Sequence, residues 1–161
     1  MFKSGSFVAE NLGDLAADQV QPNGVDLTLG SILEPIDAGR ITREGKTVGE
    51  RQPVAPSEVT ETGSTYYLPP GAYIAQYAEV VTIPENHIGF IFPRSSLMRN
   101  GCMLNTAVWD AGYEGRGEGL LTVNHDLEIE QGARIGQLVL AEAHHSGIYE
   151  GSYQGERTDG N

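Results

Sequence analysis

Apolar positions along this chain fall in short runs broken by turn residues, and few stretches hold a helical period. Val25, Leu27 and Leu29 alternate with Asp26 and Thr28, the period-two pattern of a half-buried strand. That alternation predicts Asp26 on the face opposite the three apolar side chains, solvated. Further strand signals lie at 66–68, 73–77, 80–83, 88–92, 120–123, 127–129 and 135–140. Pro69-Pro70-Gly71 and Pro84-Glu85-Asn86 punctuate them, and 21 glycines supply turns. Only residues 9–20 read as a helix, with Leu12, Leu15 and Ala16 on one face and Asn11 as cap. Residues 34–64 are polar and rich in Gly, Pro, Glu and Thr, and predict a long mobile hairpin or surface excursion. Many short strands with one short N-terminal helix predict an all-β sandwich or barrel.

Length and composition narrow this picture. A chain of 161 residues is one domain able to bury a core without staples. Its boundaries are drawn at 1–145, with a flexible arm over 146–161, where the sequence turns polar and glycine-rich. Tyr149, Tyr153, Gln154 and Arg157 suit that arm to stacking on a base and bonding a phosphate; the alternative is a frayed tail. The single cysteine, Cys102, excludes an internal disulfide and sits in an apolar run as a small buried hydrophobe. His144-His145 has no matching metal-ligand spacing and is expected exposed or partly buried. No segment has the apolar length of a membrane span, and the N-terminus has no signal-peptide core; the expectation is a soluble, cytoplasmic protein.

Charge changes the list of partners. With 22 acidic and 10 basic residues, the net charge of −12 excludes a duplex nucleic-acid partner, which needs a basic face. Only Lys3 and Lys46 are lysines. Acid excess with so little lysine suits a salt-rich cytoplasm, such as that of a halophilic archaeon, where screening removes self-repulsion. An anionic substrate must then meet a local cluster of arginines or a metal ion.

Residues 93–115 supply such chemistry. Arg94, Ser95 and Ser96 offer a planar fork of donors and two hydroxyls, suited to phosphate oxygens. Asp110 and Tyr113 set a carboxylate and an aromatic face in a glycine-rich turn. The bland readings stay open at this point: a polar loop for the first cluster, an Asx-turn hairpin for the second.

Five segments in order, QPNGVDLTLG, PRSSLMRNG, NTAVWDAGYEG, GARIGQL and YEGSYQGER, together resemble the dUTPase/dCTP deaminase superfamily, and within it the archaeal-type dUTPases. The resemblance implies a distorted β-barrel of the β-clip type, assembled as a homotrimer with sites between subunits. It implies hydrolysis of dUTP to dUMP and pyrophosphate, which lowers dUTP and supplies dUMP for thymidylate synthesis. Asp110 would deprotonate the water that attacks the α-phosphorus, and Tyr113 would pack on the deoxyribose and exclude a 2′-hydroxyl. Arg94, Ser95, Ser96 and Gln137 would hold the phosphates, and Asn105 would read the uracil edge. Asp26 would help place a Mg²⁺-triphosphate through water. Tyr153 would cover the base and Arg157 would reach the γ-phosphate, from the arm of a neighbouring subunit.

The runner-up is a dCTP deaminase, or a chain with both activities. In the deaminase pattern a glutamate stands three residues before an asparagine; here Leu121 stands three residues before Asn124, and a leucine cannot move a proton. Glu118 and Glu114 are the nearest acids, and a three-residue slip would flip the strand's faces. Against the dUTPase pattern, the SYQGER tail is closer to the deaminase side, and Trp109 stands where an aliphatic residue is usual.

Overall fold

The computed structural model describes residues 1–158. Six strands form a near-closed antiparallel barrel: β1 (Gly24–Pro35), β2 (Gly71–Tyr77), β3 (His87–Pro93), β4 (Cys102–Asn105), β5 (Glu118–Val123) and β6 (Arg134–Glu142). Their order around the barrel is β3–β6–β1–β2–β5–β4, with every neighbouring pair antiparallel. At the seam between β3 and β4, Gly89 and Trp109 exchange backbone bonds: Gly89 N–H donates to Trp109 O at 2.8 Å and Trp109 N–H to Gly89 O at 3.1 Å. All the strands expected from the pattern form, and β4, hidden in the apolar run around Cys102, is added to them. Cys102 is buried as expected.

Odd positions of β2 and β5 face inward, so Tyr73, Ala75, Tyr77, Leu121 and Val123 build the core. In β1 the phase changes. Val25, Leu27 and Leu29 face inward, the register against β2 shifts between Leu29 and Ser31, and Ile32 becomes the next inward residue. This bulge turns Ser31 onto the outer face of the barrel.

Residues 34–64 form the expected surface excursion. It carries an exposed hairpin (Arg40–Ile41 with Lys46–Thr47) and a short strand, Arg51–Pro53, that pairs with the end of β1. Glu58–Thr60, Gly63–Leu68 and Leu127–Glu130 make a separate three-stranded ribbon.

The helices correct the sequence reading. No helix spans 9–20; instead α1 covers Gly5–Ala9, capped by Ser4 Oγ, and a single 3₁₀ turn covers Ala17–Gln19. Asn11 acts at the other end, its Nδ2 donating to Phe7 O at 2.9 Å. Gly5 sets the position of α1: a Cβ there would stand 1.7 Å from Gln21 O, so only glycine lets the helix lie this close to the β1 approach. A second helix, α2 (Ser95–Arg99), occupies the stretch whose bland reading was a polar loop. No helix among the described residues is long and apolar enough to cross a membrane.

Asp26 is the second correction. It is 3% exposed rather than solvated. Alternation failed because β1 is covered on both sides here: α1 and the 3₁₀ turn pack over its outer face, and Gln19 Nε2 donates to Asp26 O at 2.9 Å.

Candidate functional site

A cleft of about 700 Å³ opens on the outside of the barrel, between the excursion (residues 35–51), the hairpin 107–118 and the arm (residues 149–156). The hairpin delivers Asp110 and Tyr113. Gly112, at φ +85°, makes the sharp turn between them, and Tyr113 N–H donates to the main-chain oxygen of Asp110 at 3.2 Å. Asp110 is thereby exposed at the cleft wall while Tyr113 is 7% exposed. The Tyr113 ring meets Trp109 edge-on at 4.9 Å between centroids and Tyr149 at 5.6 Å. Such T-shaped contacts fix the ring plane, a condition for a packing surface that must discriminate by shape.

The described part of the arm lies against its own barrel. Gln154 clasps the hairpin, its Nε2 donating to Gly112 O at 3.0 Å and its Oε1 accepting from Glu114 N–H at 3.2 Å. Tyr113 Oη donates to Glu156 Oε1 at 2.7 Å. The Arg157 guanidinium donates to the carbonyls of Arg116, of Gly117 at 2.6 Å and of Tyr77 at 3.4 Å. Arg157, expected to reach a phosphate, is in this conformation spent on the barrel wall, and burial lowers its pKa. Tyr153 does line the cleft, with the Lys46 ammonium 4.5 Å from its ring centroid. Residues 159–161 of the expected arm lie outside the described residues.

Burial raises the Glu156 carboxyl above the usual carboxylate range, against the opposing hydrogen bond from Tyr113; burial and the Glu156 contact push the Tyr113 phenol up as well. A carboxyl raised on docking stabilises the docked arm most below its ordinary value, and that contribution is lost as pH rises through the raised one. The arm is therefore expected to protect its amides from hydrogen exchange better in mild acid than at neutral pH. Glu156→Gln should remove this slope; a slope that persists in the variant would assign it to another group.

A second cluster lies away from the cleft. Asp26 Oδ2 stands 3.1 Å from Arg94 Nε and 3.6 Å from Arg134 Nη1. Gln137 is directly opposite Asp26 in the β1–β6 ladder, and Ser95 and Ser96 are exposed in the first turn of α2. Burial raises the Asp26 carboxyl, and the two arginines pull against it. Asp26 Oδ2 accepts no well-directed hydrogen bond. No group of three or more His, Cys, Asp or Glu side chains converges on a metal position among the described residues. The two arginines suit phosphate oxygens, and one carboxylate already paired with them cannot cage a hard cation; it would meet only a cation that arrives on phosphate, and through water.

Asn105 occupies a third place, a shallow groove beside the cleft that shares Ile74, Ala107 and Glu118 with it. Within one chain, then, the structure brings Asp110, Tyr113 and Tyr153 together, and separately Asp26, Arg94, Ser95, Ser96 and Gln137.

Three residues were missed. Arg134 was in plain sight inside GARIGQL. Glu79, 9% exposed, accepts from Gln19 Nε2 at 2.8 Å, Thr28 N–H at 2.9 Å and Thr28 Oγ1 at 2.7 Å, tying the Asp26 segment to the turn after β2; nothing in its local sequence marks it. Arg51 reaches the cleft from the excursion, and the phase change from Leu29 to Ile32 was the signal that β1 continues far enough to carry a partner strand there.

The architecture is that of the deaminase-type β-barrels. The structure superposes on the 2′-deoxycytidine 5′-triphosphate deaminase of Agrobacterium tumefaciens with a TM-score of 0.64, covering 89% of this chain and 48% of that one, at 21% identity, a likeness of fold. Sequence carries the assignment further. Residues 2–143 match the dCTP deaminase-like family. The chain is 58% identical over 160 residues to the probable deoxyuridine 5′-triphosphate nucleotidohydrolase of Halobacterium salinarum, covering 99% of this chain and 97% of that protein. It is 38% identical over 155 residues to the deoxyuridine 5′-triphosphate nucleotidohydrolase of Methanocaldococcus jannaschii, covering 94% and 97%. The chain belongs to the dUTPase/dCTP deaminase superfamily.

Proposed function

We propose that the protein is a dUTP diphosphatase, hydrolysing dUTP to dUMP and pyrophosphate. The observation that carries the reading is the exposed Asp110 carboxylate on the cleft wall beside the fixed Tyr113 ring, in a chain similar along its whole length to dUTP nucleotidohydrolases. Asp110 takes a proton from a water whose oxygen attacks the α-phosphorus. The bond from that phosphorus to the bridging oxygen breaks, and pyrophosphate leaves with the oxygen. A general base of this kind contributes about 10²–10⁴-fold to the rate. The Tyr113 ring closes against C2′ of the sugar and leaves no room for a hydroxyl.

Arg94, Ser95, Ser96 and Gln137 hold phosphate oxygens, and Asp26 is the residue that would meet a Mg²⁺ ion carried on the triphosphate. Such an ion would supply charge neutralisation for the leaving pyrophosphate. The distance of the phosphate cluster from Asp110 within one chain supports a site assembled between subunits, in keeping with the expected homotrimer. The cleft takes Asp110 and Tyr113 from one subunit and the phosphate grip from the next. Tyr153 covers the base from the arm of its own chain, and Arg157 clamps that arm to the barrel; both assignments depart from the expectation of an arm lent by a neighbour.

Purified protein in high salt with Mg²⁺ should convert dUTP to dUMP and pyrophosphate and release no ammonia from dCTP, with light scattering giving three times the 17.3 kDa chain mass. Untouched dUTP would overturn the reading. One observation keeps the deaminase alternative in view: Glu118 puts a carboxylate in the cleft.

A further inference from the structure

The barrel surface beneath the cleft carries two rows of side chains fixed by strand register. Ser31, Gln76 and Glu118 stand directly opposite one another across β1, β2 and β5. Two residues along, Leu33, Ile74 and Leu120 form an apolar row on the same face. The polar row is bonded end to end: Ser31 Oγ donates to Gln76 Oε1 at 2.5 Å, and Gln76 Nε2 donates to Glu118 Oε1 at 2.7 Å. Its free end is closed by the excursion, where Arg51 Nη1 donates to Glu118 Oε2. Ile74, Arg51 and Glu118 line the same cleft as Asp110.

Resting on the dUTP reading above, we propose that the Glu118–Arg51 pair reads the pyrimidine edge and selects uracil over cytosine, the ring lying on Ile74 and on Leu120 of the adjoining groove; this takes the role expected of Asn105, which stands opposite Leu120 at the end of the apolar row. A carboxylate oxygen has two lone-pair sites, and a guanidinium has five N–H donors, so both groups keep capacity after bonding each other. Paired with a guanidinium, Glu118 is an acceptor only, and Arg51 is a donor only. The pair therefore presents an acceptor beside a donor. Uracil offers the complement, N3–H beside a carbonyl oxygen. With the sugar held against Tyr113, so that N3 stays at Glu118 and the ring cannot turn over, cytosine in the same pose offers the opposite, a bare N3 beside an amino group, and sets lone pair against carboxylate and N–H against guanidinium. Gln76 is the positioning residue. Its amide is fixed because its oxygen is committed to Ser31, which leaves only its N–H₂ for Glu118.

Sites built to bond a substrate edge reject the mismatched analogue by up to about 10⁴–10⁵-fold. The Glu118 and Arg51 side chains are 22% and 30% exposed, so water weakens the mismatch, and a preference of roughly 10²-fold is expected instead.

The test compares hydrolysis of dUTP and dCTP to their monophosphates, and calorimetric binding of the α,β-imido analogues of both, for the unmodified protein, E118Q and R51K. A glutamine can turn its amide to suit either base. E118Q should lower kcat/KM for dUTP about tenfold through KM, raise it for dCTP, and reduce the preference by roughly 10²-fold. R51K keeps the charge but loses the planar fork and should give a smaller loss in the same direction. An unchanged preference in E118Q with an unaltered melting temperature overturns the proposal. So does ammonia release from dCTP that disappears in E118Q, which would make Glu118 a proton carrier. If the unmodified protein hydrolyses neither nucleotide, the dUTP reading fails by itself. The analogues then decide: tighter binding of the uracil analogue, lost in E118Q, supports the edge reading, and equal or absent binding of both overturns it.

Discussion

Asp110→Asn is expected to lower kcat for dUTP hydrolysis by about 10²–10⁴-fold while leaving the affinity for a non-hydrolysable dUTP analogue nearly intact. The structure makes this substitution clean. Asp110 is exposed, and the turn it begins is held by its main-chain oxygen accepting from Tyr113 N–H, so the hairpin does not depend on the carboxylate. An exposed change of this kind usually shifts stability by less than about 0.5 kcal/mol, so loss of rate cannot be assigned to unfolding. Asparagine keeps the shape and loses the ability to take a proton. Loss of kcat with unchanged binding marks an interaction made only in the transition state; a raised KM at unchanged kcat would make Asp110 a binding group and sink its role as base. Stopped-flow release of pyrophosphate, with calorimetry on the analogue, separates the two.

What the sequence made legible was whatever depends on neighbours along the chain. Period-two alternation located the strands, and the spacing of turn residues placed their ends. The carboxylate and ring at Asp110 and Tyr113 lie three residues apart and reach the cleft together because one glycine turn carries both. Asp26 defeated the same logic. Alternation says which side a residue faces, and not whether that side is later covered by α1 and Gln19. The row Ser31–Gln76–Glu118 was out of reach for a related reason. Its members lie on three strands far apart in sequence, and a bulge inside β1 decides that Ser31 joins them. The arm shows the limit of composition: a polar, glycine-rich tail names no contacts in advance, and only the structure shows Tyr149 packed against the core and Arg157 donating to three carbonyls on the barrel wall.

These observations bear on how one barrel separates two chemistries. A deaminase needs an acid that can gain and lose a proton beside C4 of the base. In this chain Leu121, at the position the resemblance gives to the deaminase glutamate, is turned into the core, and the carboxylate of β5 that does face the cleft, Glu118, is tied to a guanidinium and an amide. A carboxylate held that way presents its remaining lone pairs as hydrogen-bond acceptors. On the proposed reading, the same face of β5 serves recognition and the chemistry falls to Asp110.

Leu121→Glu tests that division with a large structural effect. Leu121 is 0% exposed, opposite Leu104 on one side and Tyr73 on the other. Replacing it removes about 2 kcal/mol of apolar burial and leaves a carboxyl with no partner, at a further cost of about 2 kcal/mol or more. A loss near 4 kcal/mol should lower the melting temperature by roughly 10 °C in a domain of this size. No ammonia should appear from dCTP, because a side chain at this position cannot reach the cleft without turning the strand over. Leu120→Glu is the control. It sets the same charge one residue earlier, where the side chain is 41% exposed on the outer face, and should cost far less stability. Should Leu121→Glu melt like the unmodified protein, or gain deaminase activity, position 121 faces the cleft and the assignment of chemistry to Asp110 alone is wrong.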